Sequence, residues 1–181
     1  AAFVAVSLLD ADSGAGQGFE RLDSPTAGRQ RTAGEVVPRA LAWLAAQPAD
    51  APTFLWVHLF DAHLPYAPAS EFRHDLDPKL EPKLPTLDLK SLHGIAAANG
   101  GDLPRAVLEH GKALYRCEVE GLDAWLGRLL DGVAPDTLTV VVADHGESFE
   151  RGVFFEHTES LGECTLRLPL FVRYAPLFPA G

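Results

Sequence analysis

Four apolar, β-rich runs, Phe3 to Leu9, Phe54 to Phe60, Leu138 to Ala143 and Leu168 to Tyr174, are spaced along the chain with two helical patterns between them. Each run is nearly continuous in hydrophobicity, which suits a strand covered on both faces. Strand, helix, strand, helix, strand then points to an α/β fold, with a mixed, mostly parallel sheet flanked by helices. The first helical pattern, Thr32 to Gln47, opens on a capping box of Thr32 and Glu35 and aligns Val36, Ala40, Trp43 and Leu44 on one stripe. The second runs from about Pro104 to Leu130, with Leu108, Tyr115, Val119, Leu122, Leu126 and Leu129 as its apolar face and Gly132 as its stop. Between them Pro68, Pro78, Pro82 and Pro85 break up the pattern, so residues 67–103 read as a long surface loop or insertion.

A chain of 181 residues with 47% hydrophobic and 22% charged side chains can bury one core. Its formal net charge of −10, with no basic run, argues against a nucleic-acid partner, because such proteins gather Lys and Arg to displace counterions. No apolar stretch is long enough to span a bilayer, and the first nine residues lack the basic flank of a signal peptide. Cys117 and Cys164 have no metal-type spacing and read as two free thiols. The absence of any Met and a hydrophobic strand at the first residue suggest a piece cut from a longer domain, with Phe3 to Leu9 as an open sheet edge prone to self-association.

The third run leads directly into Asp144-His145-Gly146-Glu147-Ser148. Open α/β sheets bind ligands at the carboxyl ends of their strands, and a carboxylate beside an imidazole there is part of a donor set for a divalent cation. Taken alone, the pair is equally compatible with an Asp capping the next turn and a packed His. The second run ends similarly, on Asp61 and His63, with Pro65 fixing the turn; His58, in mid-strand, reads as a hydrogen-bonded core histidine. A third cluster, Phe154-Phe155-Glu156-His157, follows Asp144 closely, whereas Glu147 and Glu150 read as solvated. Asp10-Ala11-Asp12 is the pattern of a haloacid-dehalogenase-like phosphatase, but lacks that family's following Thr or Val, and reads better as a cap leading into Gly14.

These clusters and the helix Tyr115-Arg116-Cys117-Glu118-Val119-Glu120-Gly121-Leu122-Asp123-Ala124-Trp125-Leu126-Gly127-Arg128-Leu129-Leu130, taken in order with Leu166 to Arg173, resemble the sulfatase branch of the alkaline phosphatase superfamily. Gly16-Gln17-Gly18-Phe19-Glu20 is similar to that family's turn upstream. The resemblance implies an alkaline-phosphatase-like fold, metal ligation by Asp144 and His145, and catalytic roles for His63 at the substrate or leaving-group oxygen and for His157 against the ester anion. It implies a divalent metal, calcium first and manganese or zinc as alternatives, and a small-molecule or glycan sulfate ester as substrate. Phosphate or phosphonate ester hydrolysis and phosphoethanolamine transfer occur in similar relatives. The family's Asp-Asp pair and its Cys- or Ser-x-Pro-x-Arg nucleophile turn occur nowhere in these 181 residues. Residues 1–181 therefore look like the C-terminal portion of a catalytic domain, inactive by itself, whose intact parent is expected to be periplasmic or extracytoplasmic. A non-catalytic fragment or pseudoenzyme acting as a binding module is the competing class.

Overall fold

The first apolar run lies in the middle of a sheet. β1 (Ala2–Phe3) runs parallel to both of its neighbours, β2 (Leu22–Asp23) and β3 (Trp56–Val57), with Ala2 opposite Leu22 and Trp56. Residues Ala2 to Ala5 are completely buried. The sheet is open-edged as expected, but its edges are β2 and β3 and not Phe3 to Leu9, because β1 is paired on both sides. The strand is also shorter than expected, since Ser7–Leu9 turns into a 3-10 helix after Val6 bridges to Gln30. A second 3-10 turn, Ala11–Ser13, is capped by Asp10, whose carboxylate accepts from the amides of Asp12 and Ser13 ahead of Gly14 at φ +79°. The Asp10-Ala11-Asp12 pattern is thus a capped turn.

The structure, a computed structural model, describes residues 1–150, 153–157 and 161–178 and is an α/β fold with sheet flanked by helices. It divides into two compact units, Ala1–His63 with Glu118–Gly132, and Leu64–Cys117 with Val133–Gly181. In the first unit, α1 (Ala33–Ala45) packs Val36 and Ala40 against Phe3 and Ala5. Its capping box forms as the sequence predicts, and the Asp61 carboxylate takes the further free amide of Ala33 at 2.7 Å. Burial pushes the Asp61 carboxyl above its ordinary value despite these main-chain bonds. Asp61 is therefore a helix-capping group. The C-terminal part of α3 (Arg105–Asp131) also belongs to this unit, where Trp125 lies against Gly34 and Leu41 against Gly132.

The second unit has its own core, built from Tyr66, Leu87, Leu92, Leu103, Val107, Leu114 and Phe155. Three of these residues come from 67–103, the segment read as a surface loop. That segment in fact carries α2 (Leu89–Ala98), capped by Asp88, and a backbone bridge between Tyr66 and Leu87. The prolines lie between the elements there, Pro78 and Pro82 in turns, and do not prevent burial. Along α3 the buried line is Val107, His110, Leu114 and Cys117, one step round from the stripe expected through Leu108 and Tyr115, and Val119 is exposed. Gly111 explains the rotation, since a Cβ there would run into Phe155 and Leu87. A close-packed glycine contributes nothing to a hydrophobic pattern, yet it fixes which face goes inward. Cys117 and Cys164 are both free thiols, as expected.

Two further antiparallel pairs complete the second unit. β4 (Thr139–Val142) pairs with β7 (Leu170–Arg173), and β5 (Ser148–Glu150) pairs with β6 (Val153–Glu156). The expectation that both apolar runs of the first pair are covered on two faces is overturned. Val140 opposes Val172 and Val142 opposes Leu170, placing four aliphatic side chains on one face, and all four are exposed. No helix of the described residues is long and apolar enough to cross a membrane.

Asp23, on β2, is the electrostatic centre of the first unit. Arg31, itself 9% exposed, donates to its carboxylate and to the main-chain carbonyls of Asp23 and Ser24, and Arg21 donates at 3.3 Å. Burial works against the Asp23 charge, but the hydrogen bonds from Arg31 and Arg21 and the charges of Arg31 and Arg39 outweigh it and hold the carboxyl below its ordinary 3.8. The folded value lies below the unfolded one, so this contribution to stability is complete above about pH 3.8 and is lost as pH falls through the folded value. Asp23→Ala should cost about 3 kcal/mol in urea unfolding at neutral pH, because it leaves Arg31 buried without its partner. The deficit should shrink toward pH 2, and an equal deficit at both pH values would contradict this account.

Candidate functional site

The residues after β4 are held by backbone contacts. Ala143 N–H reaches the Pro169 carbonyl at 3.4 Å, and Gly146 N–H donates to the Thr165 carbonyl at 2.9 Å on α4 (Glu163–Leu166). Gly146 approaches so closely that any Cβ would overlap the backbone of Cys164 and Thr165. Between these anchors Asp144 and His145 project from the strand end. Asp144 is 83% exposed, and its Oδ1 accepts from the His145 amide at 3.0 Å. The His145 ring places Nδ1 2.9 Å from the Gly146 carbonyl, which only accepts, so Nδ1 carries a hydrogen and, in the neutral ring, Nε2 has the lone pair.

That tautomer is the one metal-binding histidines adopt when their other nitrogen is tied to a backbone carbonyl. His145 Nε2 and Asp144 Oδ1 are 3.8 Å apart. Two ligand atoms at about 2.0–2.2 Å from one tetrahedral ion are separated by about 3.4 Å, so a small side-chain adjustment lets both reach a shared cation. The donor set fits a divalent metal as two of its ligands. Among the described residues no group of three or more His, Cys, Asp or Glu is placed to hold a metal ion.

Glu147 comes next, and it is not solvated as the sequence suggested. Its side chain is 7% exposed, Oε2 accepts from the Tyr66 hydroxyl at 2.9 Å, and Oε1 lies 3.4 Å from His157 Nδ1. The cause is register: β5 and β6 pair Ser148 with Glu156, so Glu147 and His157 are the next residues at the same end of the pair. The His157 ring also stacks on His145, with centroids 3.8 Å apart and planes 19° apart. Phe155, two residues before His157, is wedged into the core at φ +57°, a conformation that costs a non-glycine residue about 1–2 kcal/mol. The Tyr115 ring is edge-on to that of Tyr66; burial, reinforced by the Glu147 charge, raises its phenol above the ordinary value.

The second unit therefore brings Asp144, His145 and His157 together, with Glu147 and Tyr66 behind them. The side chain of Glu150 and the residues Thr158 to Ser160 lie outside those described. His63 belongs to the first unit, where Ala62 at φ +74° precedes it and its ring stacks on Phe60 at 4.3 Å. His58 accepts from the Ala5 amide at 3.4 Å, as a hydrogen-bonded core histidine should. Sequence reasoning missed Glu147 and Tyr66 because each partner is supplied by folding. The available signal was the short span from Glu147 to His157, in which Phe149, Phe154 and Phe155 provide the apolar content of a pair of strands.

The family model described as Sulfatase matches residues 32–180, a span that includes His63, Asp144, His145, Glu147 and His157. A search of curated proteins finds no match to the chain.

Gly146→Ala should destabilise the second unit by about 2 kcal/mol, because the methyl group meets backbone that cannot turn aside. Thermal unfolding followed by circular dichroism checks this, and an unchanged midpoint would mean that the Asp144 to Glu147 segment is not seated against α4.

Proposed function

The chain belongs to the sulfatase family, and from that premise we propose that its residues supply part of a metal-dependent site for hydrolysis of sulfuric esters. The observation that carries the reading is the placement of His145 Nε2 3.8 Å from the Asp144 carboxylate at one strand end, with Nδ1 tied to the Gly146 carbonyl. Asp144 and His145 would hold the cation, calcium first with manganese or zinc as alternatives. A bound divalent ion would supply charge stabilisation of the ester oxygens and make a nucleophile available at neutral pH. The chain's own part is to fix those donors on a strand end and to bring a second imidazole, His157, against them for the ester anion. His63 would give a proton to, or hold, the leaving oxygen.

In this reading the 181 residues correspond to the C-terminal portion of the catalytic domain, with the Asp-Asp pair and the nucleophile turn supplied by residues outside them. The chain should then show no turnover of aryl sulfate or aryl phosphate esters with calcium, manganese or zinc added. Turnover that disappears in Asp144→Ala would place the nucleophile within these residues after all. Phosphate or phosphonate ester chemistry and phosphoethanolamine transfer fit the same donors, and comparing the two ester classes in a domain that includes the nucleophile separates them. In that domain Asp144→Ala should lose metal and rate together. His63→Ala should keep the metal and lower turnover roughly a hundred-fold, as for a lost general acid. Equal metal loss in both variants would move His63 into the metal shell.

Self-association is part of the same reading, at a different place from the one the sequence suggested. The exposed aliphatic face of β4 and β7 is the kind of strand surface that pairs with another copy. Sedimentation should show concentration-dependent association that Val140→Lys with Val172→Lys reduces, and a monomer at all concentrations would remove this element.

A further inference from the structure

We propose that Arg21 and Arg39, which meet at Asp23, form a binding site for a tetrahedral oxyanion, sulfate or phosphate, on the first unit. Both guanidinium groups converge on one atom: Arg21 Nη2 lies 3.3 Å and Arg39 Nη1 3.8 Å from Asp23 Oδ2. The other carboxylate oxygen, Oδ1, is taken by the largely buried Arg31, which also donates to the carbonyls of Asp23 and Ser24. Three guanidinium charges thus surround one carboxylate. Like charges gathered in this way repel one another, and a further anion relieves that repulsion. The neighbouring acids do not supply it, since Glu35 is paired with Arg29 and Glu20 interacts with the amino group of Ala1.

The donors are both accessible and fixed in place. The side chains of Arg21 and Arg39 are 53% and 51% exposed, against 12% for Asp23, so an ion arriving from solvent meets guanidinium before carboxylate. Each guanidinium carries five N–H donors in a planar fork that suits an oxyanion, and at 3.8 Å Arg39 makes an ion pair with Asp23 but no hydrogen bond. Arg21 lies over the Phe3 ring, 5.3 Å from its centroid, and its carbonyl accepts from the Ala2 amide at 2.8 Å. Arg39 stands on α1 next to Ala40, which is buried in the cluster around Phe3. Donors carried on packed elements lose less freedom on binding than donors on loops.

The competing reading is that Arg21 and Arg39 only tie β2 to α1. Half-exposed ion pairs add little to stability, and Arg31 already satisfies the inner side of Asp23, so a purely structural role leaves most donors of two guanidinium groups unused.

The test is titration of the nitrogen-15-labelled chain with sodium sulfate, sodium phosphate and a sulfated disaccharide, each against sodium chloride at the same ionic strength, followed by NMR of the arginine Nε–Hε groups and the Asp23 amide. Arg21 and Arg39 are assigned by the signals missing in Arg21→Gln and in Arg39→Gln. Both signals should shift together and saturate with one dissociation constant. The double variant, read from the Asp23 amide, should bind roughly ten-fold or more weakly, the loss expected of charge-assisted hydrogen bonds. Arg105→Gln, in the second unit, should bind as the wild type does. Saturation with inorganic sulfate or phosphate assigns the site to the free ion, and saturation with the disaccharide alone assigns it to an ester group carried on a larger molecule. Shifts that sodium chloride reproduces, or that spread over all arginines without saturating, overturn the proposal, and these wild-type spectra decide it even if the double variant does not fold. Undiminished binding in a folded double variant overturns it equally.

Discussion

The buried carboxylate of Glu147 is the constraint on which the candidate site depends. A carboxylate with 7% exposure is tolerated only when its oxygens are satisfied, and here a phenol and an imidazole do so from two separate parts of the chain. Tyr66 arrives from the segment after His63, and His157 from the far end of β6. Core packing around Phe155 and Leu87 thus determines where a polar group ends up. The apolar cluster, the strained Phe155 and the β5 to β6 register together set where the His157 ring lies.

The other half of the site uses backbone. Gly146 donates its amide to the Thr165 carbonyl, and its own carbonyl accepts from His145 Nδ1, so one glycine fixes both the path of the segment and the orientation of that ring. Asp144 remains largely solvated, and its Oδ1 accepts from the His145 amide. The two halves meet where His145 stacks on His157. Membership of the sulfatase family gives this arrangement a chemical context.

Helices were the most legible elements in the sequence. Thr32 with Glu35 marked the start of α1, and α3 ran within one residue of its expected ends, because caps and 3.6-residue periodicity are local signals. The strand end bearing Asp144 and His145 was legible too, since it follows an apolar run, whereas β3 stops at Val57, well before His63. Three features were not. Residues 67–103 hid α2 and three core residues behind prolines. The aliphatic runs of β4 and β7 read as doubly covered, because hydrophobicity reports what a strand is suited to pack against and not what covers it. Glu147 read as solvated because its partners lie 81 and 10 residues away.

The most direct measurement is the manganese anomalous signal in crystals of the chain grown with that ion. The account predicts a peak in contact with the Asp144 carboxylate and His145 Nε2, with Glu147 still hydrogen-bonded to Tyr66 and His157. A manganese ion bridging Glu147 and His157, with Asp144 left in solvent, would contradict it.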